Sequence, residues 1–284
     1  MEDKDTFFSR KSLMNCNGSL FDLSVPKIMG ILNVTPNSFY DGGKYFHKKT
    51  IANQVQRLVS EGSDIIDIGG YSSRPGAEHI PVKEELNRIL PVLDFIRTDY
   101  PDLILSVDTF RSEIAQKVVE DYGVDIINDI SAGEMDSAMF ETISRLKVPY
   151  IMMHMKGTPK DMQKQTHYED MMKEIMDYFS IKYDQLRRLG ITDIILDPGF
   201  GFAKNIDQNY WLLNHLSQFK IFELPIMVGL SRKSIIYKTL GISPDEALNG
   251  TTTLNTIALL NGADILRVHD VKQAREVITL LEKL

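Results

Sequence analysis

Ile28-Met-Gly-Ile-Leu32 runs straight into Asn33, a short apolar stretch that ends on a polar side chain. The same design recurs along the chain. Ile65–Ile68 leads into Gly69-Gly70, Leu103–Val107 into Asp108, and Asp125–Ile127 into Asn128-Asp129. Tyr150–Met153 leads into His154, Ile194–Leu196 into Asp197, Pro225–Val228 into Gly229-Leu-Ser-Arg-Lys233, and Ile265–Leu266 into Arg267-Val-His269. A strand buried on both faces of a parallel sheet reads as a continuous apolar run. In a closed barrel of eight such strands, every C-terminal end lies on one face, where active sites are built. Residues as distant as Asn33 and His269 then meet at one mouth, and the pattern predicts an enzyme.

Amphipathic helices are predicted between the runs. Val82, Leu86, Ile89, Leu90, Leu93 and Ile96 fall on one stripe of 3.6-residue period, with a kink expected at Pro91. Ile114, Ala115, Val118, Val119 and Tyr122 repeat the stripe, and Met171, Met172, Ile175, Tyr178 and Phe179 begin a longer helix ending at Gly190. Ser243-Pro-Asp-Glu246 has the form of a helix start. Strand and helix alternate, which argues for a parallel sheet. The prediction is an α/β fold, a (β/α)8 TIM barrel forming one domain over 1–284, with a doubly wound open sheet as the rival. The first 26 residues differ: Phe7-Phe-Ser9 and Leu20–Leu23 flank Asn17-Gly18, a dipeptide suited to a tight hairpin turn. A short N-terminal hairpin over 1–26, capping the lower end of the barrel, is expected.

The 284 residues carry 43% apolar and 25% charged side chains, an ordinary globular mixture, and a formal charge of −7. No basic run suggests a nucleic-acid partner, and no apolar run approaches the ~20 residues of a membrane span. The opening Met1-Glu-Asp-Lys-Asp5 lacks the apolar core of a signal peptide, and the one cysteine, Cys16, excludes an intrachain disulfide. A cytoplasmic location is expected.

The chemistry lies after the runs. Asn33-Val-Thr-Pro-Asn-Ser-Phe-Tyr-Asp-Gly-Gly43 is a long, irregular loop whose Asn33 and Asp41 offer oxygens suited to Mg²⁺, or else a simple turn with a capping Asn. Gly69-Gly-Tyr-Ser-Ser-Arg-Pro-Gly76 combines backbone amides, hydroxyls and a guanidinium, a set that suits a phosphate. Asp108, Asn128 and Asp197 close three strands and suit a planar heterocycle with N–H donors, although Asp108 is also a plausible helix cap. Lys233, Arg267 and His269 follow the last two strands, where barrels often bind phosphate. Met152, Met153 and Met155 are expected in the barrel core, and His154 in a structural role. No Ser/His or Cys/His nucleophile stands out.

Together these stretches resemble the dihydropteroate synthase family. The matching pieces are Met29–Phe39, Ile66–Gly70 with Ser73–Ala77, Ser106–Thr109, Ile127–Ile130, Met153–Met155, Asp197–Phe202, Gly229–Ser234 and Arg267–Asp270, in family order. The resemblance implies a TIM barrel, usually a homodimer, that joins 6-hydroxymethyl-7,8-dihydropterin pyrophosphate to p-aminobenzoate. The products are 7,8-dihydropteroate and pyrophosphate, Mg²⁺ assists, and sulfonamides compete with p-aminobenzoate. It implies pterin contacts from Asp108, Asn128, Asp197, Lys233 and Met153, with Arg267 stacked on the ring. Asn33, Arg74, Arg267 and His269 would serve the pyrophosphate, and Asn33 and Asp41 the metal. Phe39, Ser73, Pro75, Phe202, Lys233 and Ser234 would frame p-aminobenzoate, and Lys233, Arg267, His269 and Asp41 would be the catalytic set. Asn37, Tyr71 and Ser73 depart from the usual Asp, Glu and Thr of the pattern. A pterin-dependent methyltransferase would lack the loops around Ser73-Arg-Pro-Gly76 and Ser231–Ser234, and a non-catalytic pterin binder would lack Arg74, Arg267 and His269.

Overall fold

The structure, a computed structural model, describes residues 12–16, 18–35, 44–72 and 79–284, with the backbone alone for 44–49. The barrel strands are β3 (Lys27–Asn33), β4 (Ile65–Gly69), β5 (Ile104–Asp108), β6 (Ile126–Asp129), β7 (Tyr150–Met153), β8 (Ile194–Asp197), β9 (Met227–Val228) and β10 (Ile265–Val268). They form one parallel sheet in the order β8-β7-β6-β5-β4-β3-β10-β9. The ring closes through a parallel bridge between Leu196 and Ile226, with the Leu196 N–H donating to the Pro225 carbonyl at 2.9 Å. The open-sheet alternative is thereby excluded.

Helices α1 (Lys44–Ser60), α2 (Val82–Asp99), α3 (Ser112–Tyr122), α4 (Met139–Leu146), α5 (Met171–Arg188) and α6 (Ile206–Asn214) follow the first six barrel strands in turn. The seventh unit holds two, α7 (Ser234–Leu240) and α8 (Leu248–Leu260), and α9 (Val271–Leu281) follows the last strand. Pro91 does not interrupt α2, whose buried Ile89, Val92, Leu93 and Ile96 hold it through the residue. A proline inside a helix costs about 3 kcal/mol, and that packing offsets it. Ser243-Pro-Asp-Glu246 forms only a short 3-10 turn, in which the Ser243 N–H donates to Glu246 Oε2 at 2.9 Å.

Side chains alternate across each strand. Ile28, Leu32, Ile66, Ile68, Leu105, Val107, Ile127, Leu196 and Leu266 face the helices and pack against Ile89, Ile96, Val118, Ile175 and Phe179 in the outer core. The inward set begins with Met29, Ile65, Ile126, Ile151, Ile195, Met227 and Ile265, which form a second core across the barrel floor. Beneath it lies the hairpin of β1 (Leu13–Cys16) and β2 (Ser19–Asp22), whose Met14 and Cys16 pack into that floor together with Leu23. The expected cap is present. Its first strand sits immediately before the turn, while Phe7–Ser9 lies outside the described residues.

Candidate active site

The same parity that fills the floor with apolar side chains brings polar ones to the mouth. Asn33, Gly69, Asp108 and Asn128 are register partners on four adjacent strands, and Met153 pairs with Asp197 on the next two. They surround a narrow cleft lined by Asp108, Asn128, Ile130, Met153, Asp197, Phe202, Gly229, Lys233 and Arg267. Seven of these residues were expected on the ligand, and they come from six different strand ends or loops.

Arg267 crosses the barrel. Its Nε donates to Asp67 Oδ2 at 2.7 Å and its Nη2 to Asp108 Oδ2 at 2.8 Å. Burial disfavours its charge, but the two carboxylates outweigh that and hold its pKa above the usual range. Asp67 is the functional residue that the sequence reading missed. It is 0% exposed, one inward layer below Asp108, and its Oδ2 also accepts from Asn128 Nδ2 at 3.2 Å. Asp67 Oδ1 and the neighbouring Ser106 Oγ are buried without a protein partner. Burial pushes the Asp108 carboxyl up to about 7 against the pull of Arg267.

On the opposite wall, burial also raises the Asp197 carboxyl, opposed by Lys233 and by the Gly199 N–H that donates to its Oδ1 at 2.8 Å. Burial lowers the Lys233 ammonium to about 8, with Asp197 pulling the other way. Lys233 Nζ donates to the Phe200 carbonyl at 2.5 Å and stands 4.8 Å above the Phe202 ring. Gly201, at φ +81°, lets the loop pass close, since a Cβ there would come within 3.2 Å of Lys233 Cδ. Met153 and Phe202 add apolar walls, so a flat, polar-edged ligand is matched on both edge and face.

Asn33 stands at the mouth beside Gly69. A Cβ at Gly69 would lie 3.3 Å from Asn33 Oδ1 and 3.9 Å from Asp108 Oδ2, so the glycine leaves these oxygens room for a ligand. His269 follows β10, and its Nδ1 lies 3.0 Å from Ser231 Oγ. The Ser/His contact that the sequence hid is a clamp. Ser231 is buried and its Oγ also accepts the His269 N–H at 3.2 Å, so it is not an exposed nucleophile. Ser234 opens α7 and does not line the cleft. Met152 and Met155 are buried but do not line the barrel core as expected: Met152 faces the helices in the outer core, and Met155 packs with Phe110, Ile130 and Met153 near the mouth. Phe39, Asp41, Ser73, Arg74 and Pro75, with Asn37, lie outside the described residues.

Tyr71 gains a physical account. Its ring meets Phe110 edge-on at 5.1 Å and His79 at 5.9 Å, and the Arg111 guanidinium lies over it at 5.5 Å. Arg111 is itself paired with the buried Glu85 at 2.7 Å. The tyrosine thus ties the start of the second loop to α2 and α3 by a cation–π contact.

Fold and cleft together define a barrel enzyme whose mouth offers carboxylates, an amide, a guanidinium and an ammonium to a flat, polar ligand, and among the described residues no nucleophile stands free in the cleft. The chain belongs to the pterin binding enzyme family, whose sequence model matches residues 29–269. It is 41% identical to the dihydropteroate synthase of Escherichia coli K12 over 267 residues, 93% of this chain and 94% of that one. It is also 41% identical to that of Synechocystis, over 90% of this chain and 89% of the relative. Among solved structures, the Yersinia pestis dihydropteroate synthase with a sulfonamide drug complex superposes with a TM-score of 0.89 at 40% identity, covering 95% of this chain and 98% of that one. The Xanthomonas albilineans dihydropteroate synthase with 4-aminobenzoic acid gives 0.89 at 35% identity, over 97% and 98%.

Proposed function

We propose that this chain catalyses the dihydropteroate synthase reaction, condensing 6-hydroxymethyl-7,8-dihydropterin pyrophosphate with p-aminobenzoate to give 7,8-dihydropteroate and pyrophosphate in folate synthesis. The observation that carries this reading is the Arg267 bridge from Asp67 to Asp108, facing Asp197 and Lys233 across one cleft. Asp108, Asn128 and Asp197 receive the N–H and amino donors of the pterin, and Lys233 supplies a cation to its acceptor edge. Arg267 lies along the ring, and Met153 packs on its face.

The exocyclic C–O bond of the pterin breaks as pyrophosphate leaves with the bonding electrons. The amine nitrogen of p-aminobenzoate then bonds to that carbon and gives up one proton. The protein has no covalent step to perform. Its work is to hold two substrates in line and to neutralise charge on the leaving group. Arg267 and His269, with Arg74 from the second loop, are assigned to the leaving group. Phe202 and Ser234, with Phe39, Ser73 and Pro75, are assigned to p-aminobenzoate, near the Lys233 ammonium.

A Mg²⁺ ion is part of this reading. Asn33 Oδ1, which a Cβ at Gly69 would approach to 3.3 Å, is an oxygen of the kind a hard cation takes, and Asp41 would complete the protein's share. When bound, the ion supplies positive charge to the departing pyrophosphate. A homodimer, a cytoplasmic site of action and competition by sulfonamides belong to the same proposal. No described helix is long and apolar enough to cross a membrane. The test is mass detection of dihydropteroate from purified protein and both substrates. Absence of product with Mg²⁺ present overturns the assignment.

A further inference from the structure

The segment after β8, Pro198 to Ala203, brings Phe202 and the Phe200 carbonyl to Lys233. Its backbone is tightly wound, with positive φ at Gly199 (72°), Gly201 (81°) and Ala203 (49°). A Cβ at Gly199 would fall 2.1 Å from the His154 carbonyl oxygen. Five consecutive carbonyls of this segment accept hydrogen bonds from side chains. Gln163 Nε2 takes Gly201 at 3.1 Å, the Tyr168 hydroxyl takes Ala203 at 3.0 Å, and Lys233 takes Phe200. The remaining two, Gly199 and Phe202, both go to Lys204 Nζ, each at 3.1 Å.

Lys204 is 3% exposed, and its third neighbour is His154 Nδ1, at 3.1 Å and on a residue 2% exposed. An ammonium has three donors and no acceptor, and three acceptors surround this one. With Lys204 as the ammonium, His154 accepts at Nδ1 and keeps its proton on Nε2. Burial, with Lys204 and Lys156 nearby, holds its pKa well below the usual range, in keeping with the neutral ring. Burial lowers Lys204 to about 7 against the charge of Asp197, with Lys233 and Lys156 adding to the decrease. The His154 ring packs edge-on against Tyr178 and Phe179. A buried cation is costly unless its bonds are needed, and here two of them hold carbonyls of the segment that carries Phe202 into the cleft and presents the Phe200 carbonyl to Lys233.

We propose that Lys204 and His154 are positioning residues, an ammonium–imidazole peg that fixes the Pro198–Ala203 segment from beneath and so sets where Lys233 and Phe202 stand in the cleft. The proposal deepens the functional reading above and rests on it.

Three variants test it: Lys204→Met, His154→Phe, which keeps the aromatic packing and removes the acceptor, and His154→Asn, whose Oδ1 can replace Nδ1. Turnover is measured at saturating and limiting p-aminobenzoate, with thermal melting and calorimetric binding of a phosphate-free pterin analogue alongside. Lys204→Met and His154→Phe are expected to lower kcat/KM at least tenfold, with a displaced alkaline limb in the pH profile. His154→Asn is expected to stay within about threefold of wild type. Equal losses in both His154 variants overturn the proposal. So does wild-type kcat/KM in His154→Phe, or a fall in melting temperature with unchanged KM and pH profile. If the wild type makes no dihydropteroate, the functional reading fails. Pterin-analogue binding then decides the peg, weakened tenfold in Lys204→Met and His154→Phe if it holds and unchanged in both if it does not.

Discussion

Arg267 and Asp67, 200 residues apart in sequence, meet inside the barrel at 2.7 Å. The contact fixes one edge of the guanidinium from below while Asp108 fixes another at 2.8 Å, so its plane is set by the protein alone. Asp67 is buried, and removing one partner of a buried pair costs about 3–5 kcal/mol. Asp67→Asn keeps the shape and removes the charge. It should lower stability by about 3 kcal/mol, the lower end of that range because Asp108 still balances Arg267. Pterin binding should fall at the same time. Denaturant melts and calorimetry check this, and an Asp67→Asn protein with wild-type stability and affinity contradicts the role.

Asp197 accepts from the pterin in this account. Leaving a buried donor without its acceptor costs about 1–3 kcal/mol, which is roughly a tenfold to hundredfold loss of affinity. Calorimetry on Asp197→Ala should show that loss with the fold intact, and unchanged affinity rules out the contact.

Lys233→Met should remain folded and be nearly inactive. A solvated surface lysine would cost under about 0.5 kcal/mol, but this ammonium touches the Phe200 carbonyl and the Phe202 ring inside the cleft. Circular dichroism and turnover, measured together, separate the two cases.

The pH profile of kcat/KM reports groups on the free enzyme. Burial puts Asp108 at about 7, so its carboxylate is lost as pH falls through that value and pterin binding weakens. Asp197, also raised by burial, acts in the same direction. Burial puts Lys233 at about 8, so its charge is lost as pH rises through that value. A bell with its top between these limits is expected. The Lys233→Arg variant, whose guanidinium stays charged, should lose the alkaline limb even though its maximum is lower. An alkaline limb unchanged in that variant excludes Lys233 as its source.

The barrel was legible because strands buried on both faces leave apolar runs whatever their neighbours are, and the cleft because most runs end on a polar residue and the others on glycine turns. Asp108, Asn128 and Asp197 announce themselves in this way. Asp67 does not, since it lies inside Ile65–Ile68 and disappears into the run. The available signal was parity, because Asp67 falls on the same inward face as Ile65 and Gly69. Glu85 was hidden by the apolar stripe of α2, and Lys204 by the usual expectation that a loop lysine is solvated. Partners such as Arg267 for Asp67, or His154 for Lys204, depend on closure of the ring, which no local pattern encodes.

In this reaction sustained pyrophosphate release requires p-aminobenzoate to capture the pterin carbon. Pyrophosphate release from 6-hydroxymethyl-7,8-dihydropterin pyrophosphate, followed with and without p-aminobenzoate in the presence of Mg²⁺, tests it most directly. Sustained release is expected to depend on p-aminobenzoate, to fall sharply in Arg267→Ala, and to stop in excess chelator. Sustained release at the same rate without p-aminobenzoate, or none with it, rules out the assigned reaction.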